Sequence, residues 1–158
     1  MTSADKRGVT GRTITRRIAL KRVYEKPTRT DGTRALVDRL WPRGLSKERA
    51  AVDVWLRKLA PSDALRQWFH ARPEGWLAFR KRYLKELARP ESADALDELY
   101  KLASGRKKLT LLFASKNERR NNAVVLKDLL EGMRKPPTGT GPGAVRAMRD
   151  RQAKRMPR

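Results

Sequence analysis

The segment from Asp38 to Gly44, with the sequence DRLWPRG, combines the side chains of a candidate anion site. It places a carboxylate, two guanidinium groups and an indole where a short apolar run ends. Arginine presents a planar fork of N–H donors that matches phosphate and carboxylate groups. We therefore expect Asp38, Arg39, Trp41, Arg43 and Gly44 to bind an anionic ligand. A structural alternative stays open, in which Trp41 fills the core, Asp38 pairs with one arginine and Gly44 turns the chain.

A second polar segment, SKNERRNN, begins at Ser115 and separates a predicted strand from a predicted helix. The free N–H groups at a helix start favour anions, and Lys116, Asn121 and Asn122 stand beside them. The alternative is that Asn121 only caps the helix and that Lys116 is a solvated loop charge. If this segment and the Asp38 segment follow neighbouring strands, both face one strand-end cleft.

The remaining chemistry-bearing residues favour structural roles. The single histidine, His70, could act as an acid or a base near neutral pH, but no motif surrounds it, and we expect it at the surface or at a helix end. Asp38 and Asp53 are candidate acids or bases whose proximity the sequence does not show. Five aromatic residues recur at helical spacing and are expected in the core rather than as a stacking platform for bases, namely Trp55, Trp68, Trp76, Phe79 and Tyr83.

Several classes of protein are disfavoured by what the sequence lacks. The chain contains no cysteine and one histidine, which excludes a thiol nucleophile and disfavours a zinc site. It contains no Walker loop, no Gly-x-Gly-x-x-Gly motif and no Gly-x-Ser-x-Gly motif. No apolar stretch approaches the ~20 residues of a membrane span. We expect no metal, no cofactor, no membrane partner and a cytoplasmic location, and we leave open both the oligomeric state and whether the protein is an enzyme.

Three segments have the pattern of strands that could position these residues. Ile18–Tyr24 alternates apolar and polar residues, Arg34–Trp41 contains a short apolar run after a Thr-Asp-Gly turn, and Leu109–Ala114 is an apolar run of strand length with Thr110 as its polar residue. The segment Leu45–Ala60 is ambiguous, because it fits both a strand and a helix that Ser46 would cap.

Four helices are predicted in the second half of the chain. Capping and breaker residues mark their ends, with Ser62 as the expected N-cap of the first helix and Gly105 as the C-cap of the third. The predicted helices open at Ser62, at Pro73–Glu74, at Ser92 and at Asn122, and they end at Phe69, before Pro90, at Gly105 and at Gly132. Strands alternating with helices predict a single α/β domain with a small, mainly parallel sheet flanked by helices.

The net charge of +22 is concentrated unevenly along the chain. Residues 18–131 contain 26 basic and 15 acidic residues, whereas residues 1–17 carry +4 and residues 132–158 carry +7. Both ends lack apolar periodicity and are typical of flexible basic arms, although a short helix from Ala144 to Arg155 is an option. We therefore predict one domain over residues 18–131 with a basic arm on each side.

Four segments together resemble the YeaO-like proteins of domain-of-unknown-function family 488 over about Ile18 to Leu130. These segments are VDRLWPRGLSKERA, VWLRKLAPSDALRQWF, the pattern W-x-x-F-x-x-x-Y-x-x-E-L and LTLLFASKNERRNNAVVLKDLL. The resemblance implies a small bacterial cytoplasmic α/β protein without an established activity. It also implies a set of pocket residues, namely Asp38, Arg39, Trp41, Pro42, Arg43, Gly44, Lys47, Ser62, Lys116, Asn121 and Asn122. One branch of the wider family has a Cys-His-Arg cluster after its last strand, where this chain has Asn121, Asn122 and Ala123, so cysteine chemistry is not carried over.

These observations favour one function and leave two others open. The leading hypothesis is that Arg39, Arg43, Lys116 and the start of the last helix bind a small phosphate-bearing ligand at a strand-end cleft. The competing hypothesis is a nucleic-acid-associated protein, in which the basic arms and a basic face contact phosphates without reading sequence. The third is an interaction module without a ligand.

Overall fold

Four short strands form one parallel sheet. The computed structural model describes residues 18–132 and places the strands at Ile18–Arg22 (β1), Thr33–Leu36 (β2), Val54–Trp55 (β3) and Leu109–Phe113 (β4). Their order across the sheet is β1-β4-β2-β3, and each neighbouring pair is parallel. All four strands therefore end at the same side of the sheet, which we call the carboxyl edge.

Five α-helices accompany the sheet in residues 18–132. They are Lys47–Ala50 (α1), Asp63–Ala71 (α2), Trp76–Leu87 (α3), Ala93–Ser104 (α4) and Asn122–Gly132 (α5). Serine side chains fix the starts of the first two, since Ser46 accepts the Arg49 N–H and Ser62 accepts the Leu65 N–H. This is the N-cap bond that the sequence predicts at both serines. Gly105 ends α4, as predicted.

The two faces of the sheet are packed unequally. One face, which includes Val37, Leu111 and Phe113, contributes to a large core with apolar residues from α2, α3, α4 and α5. The other face contributes Leu36 and Leu112 to a smaller cluster that lies against α1 and two indoles. Every residue of β4 is buried, as expected for the continuous apolar run of a central parallel strand.

The aromatic residues of α2 and α3 belong to the larger core. The rings of Phe69 and Phe79 stack with 4.4 Å between centroids, and Tyr83 is fully buried. Two indoles pack against this core, Trp68 and Trp76. Core placement is therefore confirmed for four of the five predicted aromatic residues, while Trp55 lies in the smaller cluster. His70 is exposed near the end of α2, as expected.

A buried ion cluster lies on the sheet face that bears the smaller core. Lys21 Nζ is 3.0 Å from Asp31 Oδ1, and Arg34 Nη1 is 2.7 Å from Asp31 Oδ2. Arg34 also donates to the carbonyl of Ala50 at 2.7 Å. Burial by itself would raise the pKa of Asp31, but hydrogen bonds from Thr28, Lys21 and Arg34 outweigh it and hold this pKa well below its ordinary value. We call this group the Asp31 cluster.

The prediction of a single α/β domain with a small parallel sheet flanked by helices is confirmed, although some boundaries differ. The strand predicted over Arg34–Trp41 ends at Leu36, because the Val37 carbonyl and the Ala114 N–H, which would continue the ladder, bind the side chains of Asn122 and Asp38 instead. The ambiguous segment Leu45–Ala60 contains both a short helix, α1, and a short strand, β3. The helix predicted to open at Pro73–Glu74 begins at Trp76.

The predicted basic arms, residues 1–17 and 132–158, lie outside the described residues except for Gly132. The optional helix from Ala144 to Arg155 also lies outside them. The described residues carry +11 of the +22 charges. Within this part of the chain, no helix combines the length and the apolar character needed to cross a bilayer.

Candidate functional site

The two polar segments singled out in the sequence meet at the carboxyl edge. Asp38 follows β2, and its Oδ2 accepts the Ala114 N–H at the end of β4 at 2.9 Å. Its Oδ1 accepts the side-chain amide of Asn122, the first residue of α5, at 3.0 Å. The same amide donates to the Val37 carbonyl at 2.9 Å. Because β2 and β4 are neighbours, the expected adjacency of the two segments is confirmed.

Asp38 acts as an anchor in this junction. Burial raises the pKa of Asp38, and the Ala114 N–H, the Asn122 amide and the nearby charge of Arg66 oppose that rise without cancelling it. The other candidate carboxylate, Asp53, accepts the backbone N–H of Arg34 at 2.8 Å. Asp53 therefore binds β2, whereas Asp38 binds the end of β4 and the start of α5, and nothing in this geometry pairs the two carboxylates for acid and base catalysis.

Two arginines share one exposed carboxylate beside this junction. Arg39 Nε lies 3.6 Å from Asp63 Oδ1, and Arg66 Nη2 lies 3.5 Å from the same oxygen. The three side chains are between 41% and 59% exposed, so both ion pairs are loose and partly solvated. The Arg39 Nε atom itself is buried and has no hydrogen-bond acceptor within the described part of the chain, so the accessible part of this guanidinium is its terminal amino groups. Both guanidinium groups therefore retain donors for another anion.

The turn after Trp41 presents Arg43 to solvent. The Leu45 N–H donates to the Pro42 carbonyl at 3.4 Å, which closes a four-residue turn. Gly44 has a φ of 76°, a value that side-chain-bearing residues adopt with strain. The structural role proposed for Gly44 is therefore present, while the exposed guanidinium of Arg43 has no recorded partner among residues 18–132.

Trp41 fills the smaller core, as the structural alternative for this residue suggests. Its indole N–H donates to the Leu45 carbonyl at 2.6 Å, and its ring meets Trp55 edge to face at 5.4 Å. The Trp55 indole in turn donates to the Asp38 carbonyl at 2.7 Å. The two indoles thus hold the backbone on both sides of Arg39 in place.

Arg22 and Tyr24 connect the Arg43 turn to the loop that carries Lys116. The Tyr24 hydroxyl donates to the Arg43 carbonyl at 2.9 Å, and the Arg22 guanidinium lies 5.1 Å from the centre of the Tyr24 ring. Arg22 Nε also donates to the Ser115 carbonyl at 2.9 Å, one residue before the exposed Lys116. The end of β1 therefore joins the two segments that carry Arg43 and Lys116.

Asn121 caps α5, so its side chain is not free to bind a ligand. Its Oδ1 accepts the Val124 N–H at 3.0 Å, and its Nδ2 donates to the Asn117 carbonyl at 2.8 Å. The cap uses one of the N–H groups that a bound anion could take at this helix start. The geometry matches the alternative in which Asn121 is an N-cap.

The family resemblance implies that Lys47 and Ser62 belong to the site. Their contacts, however, are with residues outside the Asp38 junction. The Ser62 hydroxyl caps α2 and donates to Glu86 Oε2 at 2.6 Å, while its backbone N–H donates to Glu86 Oε1 at 2.8 Å. Lys47 is the exposed first residue of α1. No recorded contact in residues 18–132 joins either residue to Asp38 or Asn122.

The chain has clear relatives among known proteins. A family model described as the inactive DUF488-N3 subclade matches residues 17–139. The chain belongs to the DUF488 family. It is similar to the uncharacterized protein YeaO of Escherichia coli K12, with 44% identity over 118 residues that cover 73% of this chain and 98% of YeaO.

Mycobacterial proteins are similar to this DUF488 chain to almost the same degree. The uncharacterized protein Rv3073c of Mycobacterium tuberculosis H37Rv is 42% identical over 116 residues, which cover 73% of this chain and 95% of that protein. No solved structure matches the chain significantly. The resemblance to YeaO-like proteins that the motifs indicate is therefore confirmed.

Sequence reasoning did not select several residues at the carboxyl edge of this DUF488 domain. They are Arg22, Tyr24, Asp63 and Arg66. Asp63 and Arg66 show an i,i+3 spacing of opposite charges, but this pattern is common on solvated helices and does not indicate a site. Within residues 18–132, no three His, Asp or Glu side chains are grouped so that they could hold a metal ion.

Proposed function

We propose that this DUF488 protein binds a small phosphate-bearing ligand at the carboxyl edge and does not convert it. The observation that carries the proposal is that Arg39 and Arg66 both approach one oxygen, Asp63 Oδ1, at 3.6 and 3.5 Å. Two arginines that reach one carboxylate oxygen can also reach one phosphate oxygen. Because the ion pairs with Asp63 are exposed, their replacement by a ligand costs little free energy.

Arg43 and Lys116 extend this positive region. Both side chains are exposed, and the contacts of Arg22 and Tyr24 connect the backbone segments that carry them. A ligand with a phosphate group and an organic part, such as a nucleotide or a phosphorylated metabolite, is the class that we expect to use both regions. The proposal includes the cytoplasmic location that the family resemblance implies.

Binding without turnover is supported by the chemistry of the described side chains. Both oxygens of Asp38 accept hydrogen bonds, from Ala114 and Asn122, so this carboxylate is already engaged. The chain has no cysteine, and its one histidine is exposed on α2. Neither a thiol nor an imidazole is therefore available at the carboxyl edge among the described residues. The matching subclade is itself described as inactive.

The competing function is sequence-independent contact with nucleic acid through the basic ends. Its support is the charge distribution, since residues 1–17 carry +4 and residues 132–158 carry +7. Apart from Gly132, those residues are outside the described part of the chain. We rank this function second, because the paired approach of Arg39 and Arg66 to a single oxygen fits a small anion.

The double variant Arg43→Ala/Lys116→Ala tests the leading proposal. We expect its affinity for AMP, measured by isothermal titration calorimetry at low salt, to fall about tenfold, equivalent to about 1.4 kcal/mol. Both side chains are exposed, so circular dichroism and the thermal midpoint should stay close to those of the unmodified protein. Inorganic phosphate, measured in the same way, shows whether the phosphate group alone is sufficient for binding.

The matched control is Arg106→Ala/Lys107→Ala. These two exposed residues precede β4, so they lie at the end of that strand opposite to the carboxyl edge. The control removes the same net charge and should change AMP affinity by less than about twofold, as expected for screened distant charges. Equal affinities for AMP in the unmodified protein and the Arg43→Ala/Lys116→Ala variant would reject the proposed site.

A further inference from the structure

The solvent side of α3 carries a row of basic residues. Lys81 and Lys85 are separated by four residues on α3, Arg82 lies beside them, and Arg89 follows two residues after the helix ends at Leu87; all four are exposed. Residues separated by four positions lie on the same side of a helix, so Lys81 and Lys85 are about 6 Å apart along the axis of α3. Together with the exposed Arg72, these residues form a surface that we call the basic face.

Trp68 joins Arg72 and Arg82 at one end of the basic face. The Arg82 guanidinium lies 4.3 Å from the centre of the Trp68 ring, and that of Arg72 lies 5.9 Å away. The indole is fixed in turn against Gly75, where an added Cβ would come within 2.7 Å of its Cη2 atom. Stacking on a fixed indole restricts the two guanidinium groups, so they lose less entropy when they bind an anion.

No residue of the basic face forms an ion pair within residues 18–132, although the exposed Glu74 and Glu91 lie near its ends in the sequence. Between residues 75 and 90 the one acidic residue is Glu86, which accepts both the N–H and the hydroxyl of Ser62. Arg80, on the other side of α3, pairs with Asp128 at 3.7 Å. Like charges four residues apart destabilise a helix by a few tenths of a kcal/mol. The row therefore costs stability, and no intramolecular ion pair in the described residues offsets that cost.

We infer that the basic face binds the phosphate backbone of nucleic acid without reading its sequence. A duplex carries one charge per ~1.7 Å of axis, so a length of about 6 Å presents about three or four phosphates. A continuous row of cations matches such a polymer better than it matches one small anion. The residues replaced in the test below differ from those of the proposed anion site, so the two proposals can be tested separately.

A membrane surface fits the basic face less well. Helices that lie on anionic lipid insert an apolar side into the bilayer. The apolar side of α3 is occupied in the core, where Phe79, Tyr83 and Leu87 are buried. Within α3, Leu77 is the one large apolar residue that is strongly exposed. We therefore commit to nucleic acid as the partner, bound through counterion release.

The test is the full-length triple variant Lys81→Ala/Lys85→Ala/Arg89→Ala. Its binding to a labelled 30-base-pair duplex is measured by fluorescence anisotropy at several salt concentrations. The plot of log K against log salt has a negative slope, and each lost phosphate contact makes it shallower by about 0.9. We therefore expect the slope of the triple variant to be shallower by close to three. The affinity at about 0.1 M salt should fall roughly tenfold or more. Alanine favours helix, so α3 should persist.

Two further full-length variants control for total charge. Lys81→Arg/Lys85→Arg/Arg89→Lys keeps every charge and should keep the slope. Arg106→Ala/Lys107→Ala/Lys108→Ala removes three exposed charges before β4 and should leave the slope within about one unit of its original value. Equal losses in the two alanine variants would overturn the inference. So would an unchanged slope in the α3 variant, or loss of binding to phosphatidylserine vesicles with duplex binding intact.

Discussion

Asp31 lies among charged partners within the fold, whereas Asp38 at the carboxyl edge is held by uncharged amides while the nearby arginines stay exposed. Lys21 and Arg34 contact Asp31 at 3.0 and 2.7 Å, and the Arg34 side chain is 4% exposed. At the carboxyl edge Arg39 is 41% exposed and lies 3.6 Å from Asp63. The same residue types therefore stabilise the fold in one region and leave cations accessible in the other.

The electrostatics of the two aspartates follow from this difference. The pKa of Asp31 is lowered because charged and polar donors outweigh the effect of burial. The pKa of Asp38 is raised because burial outweighs its two amide donors and the more distant Arg66. A carboxylate with a lowered pKa stabilises the fold at neutral pH, and one with a raised pKa does not. We infer that Asp31 has a structural role, and the region around Asp38 stays our proposed ligand site.

Removal of Asp31 should have the largest effect on stability. Asp31→Ala leaves the buried Arg34 without its carboxylate, and we expect the free energy of unfolding to fall by about 3–5 kcal/mol. Asp38→Ala removes an acceptor from Ala114 and Asn122 but also removes a buried charge, so it should cost about 1–3 kcal/mol. Urea denaturation of both variants measures the comparison. Equal losses of unfolding free energy in the two variants would contradict the distinction between a structural Asp31 cluster and a carboxyl edge that binds a ligand.

The pH dependence of stability should separate the same two residues. The lowered pKa of Asp31 gives stability that is present above its ordinary value of 3.8 and is lost as the pH falls through the pKa of the folded state. The free energy of unfolding falls as the pH drops below about 4, and in Asp31→Asn this fall should be smaller by on the order of 2 kcal/mol than in the unmodified protein.

Asp38 should behave in the opposite sense. Because its pKa is raised, Asp38 contributes stability that is present below the ordinary value of 3.8 and is lost as the pH rises through the pKa of the folded state. The stability difference between the unmodified protein and Asp38→Asn should therefore shrink as the pH rises above about 4. Urea denaturation across a pH series measures both effects, and a parallel pH dependence in the two variants would refute the assignment.

The sequence predicted the central elements because their signals are long or chemically specific. The apolar run Leu109–Phe113 can only be a buried strand or a buried helix, and its length decides for a strand. A long helical pattern follows Ser62, so the sequence predicts this residue as the N-cap of a helix. The meeting of Asp38 with Asn122 followed from parallel strands that end at one edge.

The sequence could not resolve elements that depend on tertiary partners. The segment Leu45–Ala60 contains a four-residue helix and a two-residue strand, which are too short to show a period. The strand from Thr33 ends at Leu36 because two side chains bind the next ladder groups, that of Asn122 from a distant part of the chain and that of Asp38 from beyond the strand. Arg66 was missed because only the packing of α2 against the sheet brings its charge near Asp38.

The direct test of the carboxyl-edge account is the affinity of Asp63→Asn for AMP. This substitution removes the carboxylate that Arg39 and Arg66 share, and exposed ion pairs of this kind are worth about 0.2–1 kcal/mol each. Freeing both arginines should therefore tighten AMP binding about fivefold in calorimetry. Asp94→Asn, the same substitution in the first turn of α4, is the matched control and should leave the affinity unchanged. Unchanged or weaker binding by Asp63→Asn would contradict the assignment of the carboxyl edge as the anion site.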